Sequence, residues 1–332
     1  MSRRTPLGIK IGFIAFGLVL GIVVSEVALE LLRPPARGSE FENIADLRKA
    51  MLSTQTSSSE TVLRDIIEPS ADDGILFQLR PHIDTRFQRA HVTTNSCGMR
   101  DPERSIGRPP GTYRIALLGD SFAFGWGVEH TQSFGAQLEA NLNRLASGSL
   151  HFEVLNFGVP GYSTFQEYNQ FLERVADFDP DDVLLYFVDN DFGMPFFVRD
   201  VAGTGGLMAS TEFATLAIKA LNPSAEEQRL RLQGYDPNRF IIKLGNFCAE
   251  RGVRFSVAVN PNQASEGVIK KLWSIKDQKF VRAITLYPQL KEVVRLRGIN
   301  PPDLTLSFDP HPSPLKHRIL ADLLTPYFMD RL

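Results

Sequence analysis

The chain has 332 residues, room for one large domain or two small ones around a sizeable core. Its formal net charge of −2 gives no footprint for a polyanionic partner such as nucleic acid. The two cysteines, Cys97 and Cys248, lack metal-ligand spacing, so zinc and redox-motif chemistry have little support, while one disulfide and two free thiols both stay open.

Arg3 and Arg4 precede an apolar run from Ile11 to Val24, continued after Ser25-Glu26 by Val27-Ala28-Leu29. Fourteen residues fall short of the about 20 that a spanning helix needs. Lys10 and Glu26 lie near its ends, however, and snorkel, which extends the usable length. The run is apolar all round, which argues against a soluble helix. No small-x-small cleavage site follows, so an uncleaved signal anchor over residues 1–33 is favoured over a cleaved signal peptide. Arginines before the span place the N-terminus in the cytoplasm and the remainder outside. Gly17 and Gly21 match the small-xxx-small pairing pattern, although glycines are common in spanning helices. Residues 34–72, with the stretch "STQTSSSET", read as a polar juxtamembrane stalk.

From residue 73 to 112, "ILFQL" and "RFQRAHVTT" read as short lead-in strands, and "GRPPG" punctuates the chain after them. Strands and helices then alternate. "RIALL" (114–118) precedes an amphipathic helix with Phe134, Leu138, Leu142 and Leu145 on one face. "FEVLNFG" (152–158) precedes a helix carrying Phe165, Tyr168, Leu172 and Val175. "DVLLYFV" (182–188) is an apolar strand, followed by an irregular insertion over about 191–235. A helix near 237–251 leads into "VRFSVAV" (253–259), another helix covers about 284–297, and a short strand near 304–308 precedes a terminal helix. Ser313 suits the N-cap of that last helix and Pro314 its first position. Such alternation implies a parallel sheet covered on both faces, with reactive groups at the carboxyl ends of its strands. That rule sets Asp120-Ser121, Gly158 and Asn190 along one rim.

Gly119-Asp120-Ser121 alone is a weak signal. Its company is what counts: "NFGVPGYS" closes the second strand, "VDND" the third, and "DPHPSPLKHRILA" opens the last helix. With these four blocks in order, residues 95 to 330 resemble the SGNH/GDSL hydrolase family, and "NSCGMRDPE" is similar to the lead-in of its membrane-anchored bacterial members. The resemblance implies a flavodoxin-like three-layer α/β sandwich over residues 73–332 and an acyl-enzyme mechanism without metal or organic cofactor. Two departures stand out. The family often spaces its Asp three residues before the His, whereas Asp309 precedes His311 by two, and Val188-Asp189-Asn190 lacks the glycine often found two before the Asn.

Acyl transfer needs a nucleophile, a base in reach, and donors aimed at the developing oxyanion. Ser121 is the candidate nucleophile and His311 the base, with Asp309 to fix its tautomer. The Ser121 N–H, the Gly158 N–H and the Asn190 side chain are the candidate oxyanion donors. Pro310 and Pro312 push Asp309 and His311 towards extended backbone, where residues two apart point the same way, so the short spacing is compatible with a triad. Asp120 reads as a turn holder, and Asn156 and Asp191 as structural. His317 reads as surface or helix packing, while His82, His91, His130 and His151 have no partner at useful spacing. Met194 to Phe197 and Trp126 are pocket candidates.

The expected protein is thus an extracytoplasmic, membrane-anchored serine ester hydrolase acting on a small-molecule or polysaccharide ester. The resemblance suggests a carbohydrate O-acetylesterase. An O-acyltransferase with a sugar hydroxyl as acceptor uses the same residues, and a non-catalytic glycan-binding envelope protein is a third reading. Oligomeric state stays open.

Overall fold

The structure is a computed structural model. It describes residues 61–188 except 62, 73, 76, 147 and 149, then Asp191, 236–272 except 263 and 264, 280–331, and Gly17. The expected anchor, most of the stalk, Asn190 and the insertion lie outside the described residues. Among the described residues, no helix is long and apolar enough to cross a membrane.

The centre is a five-stranded parallel sheet built from β5 (Thr112–Gly119), β6 (His151–Asn156), β7 (Asp182–Phe187), β8 (Arg254–Val259) and β9 (Val281–Thr285). Its spatial order is β6-β5-β7-β8-β9, the flavodoxin-like arrangement expected from the alternation. β5 is flanked on both sides, Leu117 standing opposite Asn156 of β6 and Leu184 of β7. Burial on both faces explains why β5 and β7 read as unbroken apolar runs. Ile115 and Leu117 face one layer of helices, α3 (Phe134–Ala146) and α8 (Pro314–Leu324). Ala116 and Leu118 face the other, α4 (Thr164–Glu173) and α5 (Pro237–Glu250). α6 (Ser265–Lys271) and α7 (Tyr287–Arg297) complete the connections beyond β8.

The fifth strand is a correction. It was expected near 304–308, yet "VRAIT" at Val281–Thr285 takes that place, in a stretch partly read as helix. As an edge strand it is only half-buried, so it lacks the apolar run that marks the others. Thr305–Leu306 (β10) pairs instead with Asp309–Pro312 (β11), outside the main sheet. α4 also differs: its fully buried face holds Gln166, Glu167, Gln170 and Phe171. Of the expected apolar stripe, Phe165, Tyr168 and Leu172 are half-buried, with Phe165 and Tyr168 packing on Phe240 of α5, while Val175, just past the end of α4, is fully buried in the core. Leu145 of α3 is exposed, and Ala146 takes the buried position.

The lead-in forms a third apolar cluster. A short helix, α1 (Leu63–Ile66), runs into β1 (Ile67–Pro69), which pairs antiparallel with β2 (Phe77–Leu79). The hairpin of β3 (Asp84–Phe87) and β4 (Ala90–Thr93) follows, with His91 bonded to Asp84 at 2.7 Å. Leu63, Ile66, Ile67, Phe77 and Phe87 are buried together with Phe124 and Tyr162. Leu63, Ile66 and Ile67 fall in the stretch read from the sequence as polar stalk, and all three enter this core. The two cysteines are free thiols.

Ile66 is 1% exposed. Ile66→Ala is expected to cost about 2–5 kcal/mol, read as a lowered urea midpoint at unchanged slope, whereas a solvated stalk position would cost within about 0.5 kcal/mol.

Candidate active site

The site is built where β5 ends. Gly119 has φ +155°, and a Cβ there would lie 2.7 Å from the Ala123 side chain, so only glycine lets the chain turn this sharply out of the strand. Asp120 then caps a four-residue helix, α2 (Ser121–Phe124), accepting the Phe122 N–H at 2.9 Å. The cap is the turn-holding role read from the sequence. Ser121, first in that helix, has an N–H with no intrahelical acceptor, and none is found among the described residues.

Ser121 Oγ lies 2.8 Å from His311 Nε2. His311 Nδ1 is bonded to Asp309 Oδ1, which also accepts the His311 backbone N–H at 2.9 Å. β11 is extended, so the two side chains emerge on the same side, as the flanking prolines require. Burial works against the Asp309 carboxylate, but hydrogen bonds from the His311 ring and backbone, helped by Trp126, hold it below the usual carboxylate range. Asp309 is therefore an anion at neutral pH, able to keep the Nδ1 proton in place and leave Nε2 free to accept from Ser121. The imidazole is framed by Trp126, stacked at 4.9 Å, and Phe122, tilted at 5.2 Å.

The structure does not hold Gly158 as a free donor. Its N–H donates to Asn156 Oδ1 at 2.9 Å, while Asn156 Nδ2 donates to the Ala123 carbonyl at 3.0 Å. Gly158 is required for another reason: a Cβ there would lie 2.4 Å from the Phe124 nitrogen, so it admits close packing of the second loop on the nucleophile helix. Asn156 has the structural role expected of it. So has Asp191, whose Oδ2 accepts the Val188 N–H at 2.7 Å and closes the turn after β7. Asn190 and Met194 to Phe197 lie outside the described residues.

Several groups near the site escaped the sequence reading. Arg100 is 1% exposed and donates to the carbonyls of Phe124, Gly125, Val128 and His91, fastening the lead-in to the loop after α2. Burial pulls its pKa down to about 10, so it keeps its charge. Glu167 is fully buried, and burial, together with the charges of Asp191 and Asp120, raises its pKa well above the usual carboxylate value. Lys316 of α8 sits behind Phe122 with Nζ 3.4 Å from Asn260 Oδ1, and burial lowers its pKa to about 8. A lone Arg, Glu or Lys on an element carries no pattern, so nothing in the sequence marks these positions. "DPE" after Arg100 supplies Asp101, which pairs with Arg104 and approaches His130 at 3.5 Å.

No protein-family profile matches the chain, and no curated protein does. Solved structures do. The chain is similar to a two-domain esterase active on acetylated mannans, at 15% identity and a TM-score of 0.45, over 66% of this chain and 49% of that one. It thus spans about half the length of that esterase. A member of the lipolytic protein G-D-S-L family from Veillonella parvula is similar at 13% identity and a TM-score of 0.42, over 66% of this chain and 100% of that one. A lipase/acylhydrolase from Enterococcus faecalis is similar at 16% identity and a TM-score of 0.41, over 66% and 97%.

His317, six residues after His311, is not an alternative base. It is fully buried, and its Nδ1 accepts the Phe134 N–H at 3.2 Å. Burial first, then the nearby charges of Lys316 and Arg100, lower its pKa to about 3. The unfolded chain protonates this group at about 6.5, so between about pH 3 and 6.5 the unfolded state binds more protons and stability rises with pH. Urea midpoints measured across that window should fall on acidification. His317→Gln should flatten this slope by up to about one proton.

Proposed function

We propose that this chain is a serine ester hydrolase of the SGNH/GDSL type, anchored in the membrane by residues 1–33 with its α/β domain outside the cytoplasm. The observation that carries the hydrolase reading is the contact of Ser121 Oγ with His311 Nε2 at 2.8 Å, with Asp309 bonded to the opposite ring nitrogen.

In the first half-reaction Ser121 Oγ attacks the ester carbonyl carbon while His311 Nε2 takes its proton. The oxyanion forms against the Ser121 N–H and the Asn190 carboxamide. Collapse breaks the bond to the alkoxy oxygen, which leaves as the alcohol with the proton from His311. In the second half-reaction His311 removes a proton from water, the hydroxide attacks the acyl-enzyme carbonyl, and the proton returns to Ser121 as the carboxylic acid departs. The substrate class is an O-acetylated carbohydrate of the cell envelope, a reading that rests on the resemblance of the four motif blocks. The anchor rests on the apolar run from Ile11 to Val24 behind Arg3 and Arg4.

The test is a chain-length series of p-nitrophenyl esters, assayed with and without an oligosaccharide acceptor. Short acyl chains should be cleaved fastest, with water as the acceptor. Acyl product appearing on the sugar at the expense of free acid would instead assign an O-acyltransferase. Ser121→Ala should abolish turnover and covalent labelling by a fluorophosphonate, and His311→Ala should reduce kcat to near background. Asp309→Asn should be milder, a loss on the order of 10–10³, because Pro310 and Pro312 keep His311 extended without the carboxylate. A Ser121→Ala protein still labelled at this site would sink the nucleophile assignment.

A further inference from the structure

The strand that carries the base is weakly supported. Among the described residues, the four-residue β11 pairs with the two-residue β10, apart from the five-stranded sheet. Asp309 holds Nδ1, and setting the plane of the ring falls to the side chains packed on it. Trp126 lies over it with centroids 4.9 Å apart and planes within 18° of parallel. The Trp126 Nε1–H is buried with no hydrogen-bond partner among the described residues, and the indole helps to hold the Asp309 pKa down. Trp126 is itself held from two directions. Its backbone N–H donates to the Ser121 carbonyl at 3.0 Å, which ties it to the nucleophile's own residue. The Phe87 ring of the lead-in hairpin meets it edge-on at 4.8 Å and 79°, and Arg100 grips the carbonyls of Gly125 and Val128 on either side.

We infer that Trp126 is the positioning residue of the Asp309–His311 pair: it sets the plane of the imidazole by stacking and offers its indole face to the imidazolium that forms when Ser121 gives up its proton. Ring stacking acts throughout the cycle. The attraction between a cation and an indole face acts only while the imidazole is charged, in the transition states and tetrahedral intermediates. An interaction realised there and absent from the substrate complex changes kcat and leaves KM in place. The lead-in hairpin acquires a purpose by the same geometry, since Phe87 backs the indole that backs the base.

This inference rests on the hydrolase reading for its kinetics but not for its spectroscopy. The chain has two tryptophans, Trp126 and Trp273. In the full chain carrying Trp273→Phe, His311→Gln should shift the intensity of the Trp126 emission, because it removes the ring stacked on the indole. With p-nitrophenyl acetate, Trp126→Phe keeps a ring over the imidazole and should lose up to about tenfold in kcat. Trp126→Leu removes the ring face and should lose on the order of 10²-fold, with KM within about twofold in both variants. Trp126 emission unchanged by His311→Gln, or a Trp126→Leu variant with unchanged kcat, overturns the inference. Emission that responds to His311→Gln in a protein without ester turnover supports the stack and overturns the hydrolase reading.

Discussion

The 2.8 Å contact between Ser121 and His311 joins residues 190 apart in the chain, and much of the remaining structure exists to hold its two ends. One end is fixed by the sheet. β5 lies between β6 and β7, so the point where Ser121 leaves the strand cannot drift. The other end is fixed by α8, which begins one residue after β11 and packs with α3 over the same face of the sheet. Ser313 caps α8 by accepting the Lys316 N–H, and its own hydroxyl donates to the Asp303 carbonyl, locking the turn between base and helix. Leu320 and Leu324 then anchor the helix among Ile115, Leu117 and Phe134.

The two-residue spacing of acid and base is a compact solution to the orientation problem. In an extended strand Asp309 and His311 share a face, and the same carboxylate oxygen serves the backbone N–H and the ring of the histidine. The acid therefore restrains both Nδ1 of the ring and the local backbone. What it does not fix is the position of the whole segment relative to Ser121, because β10–β11 is a small ribbon apart from the sheet. The aromatic frame of Phe122 and Trp126 supplies that restraint. Both residues follow Ser121 closely in sequence, so a shift of Ser121 carries the frame along with it.

Arg100 shows how the lead-in is attached. A buried guanidinium bonded to backbone carbonyls and lying over the Phe124 ring is costly to desolvate, and burial lowers its pKa despite the charge of Glu129. It persists because a planar fork of donors can satisfy several backbone acceptors that no shorter side chain would reach together. The carbonyls after a helix C-terminus are left without partners by the helix itself, so one arginine closes that deficit and ties two cores together.

The sequence by itself determined the parallel α/β layering, because strands buried on both faces must be apolar throughout, and it determined the Ser121, His311 and Asp309 set, because three short blocks fall at matching strand ends and a fourth opens the last helix. It also carried the same-side geometry of Asp309 and His311, since each proline restricts the backbone of its predecessor. Tertiary structure decided what depends on neighbours distant in sequence. An edge strand such as Val281–Thr285 is stabilised by pairing with β8 more than by its own composition. The polar residues Gln166, Glu167 and Gln170 are buried because of what packs on α4, which contradicts its apolar periodicity. Gly158 looked like an oxyanion donor from its place after β6, but whether an N–H is free depends on where Asn156 turns its carboxamide. The stacking of Trp126 on His311 belongs to the same class, a contact between a loop after the first strand and a ribbon before the last helix that only the folded chain brings within reach.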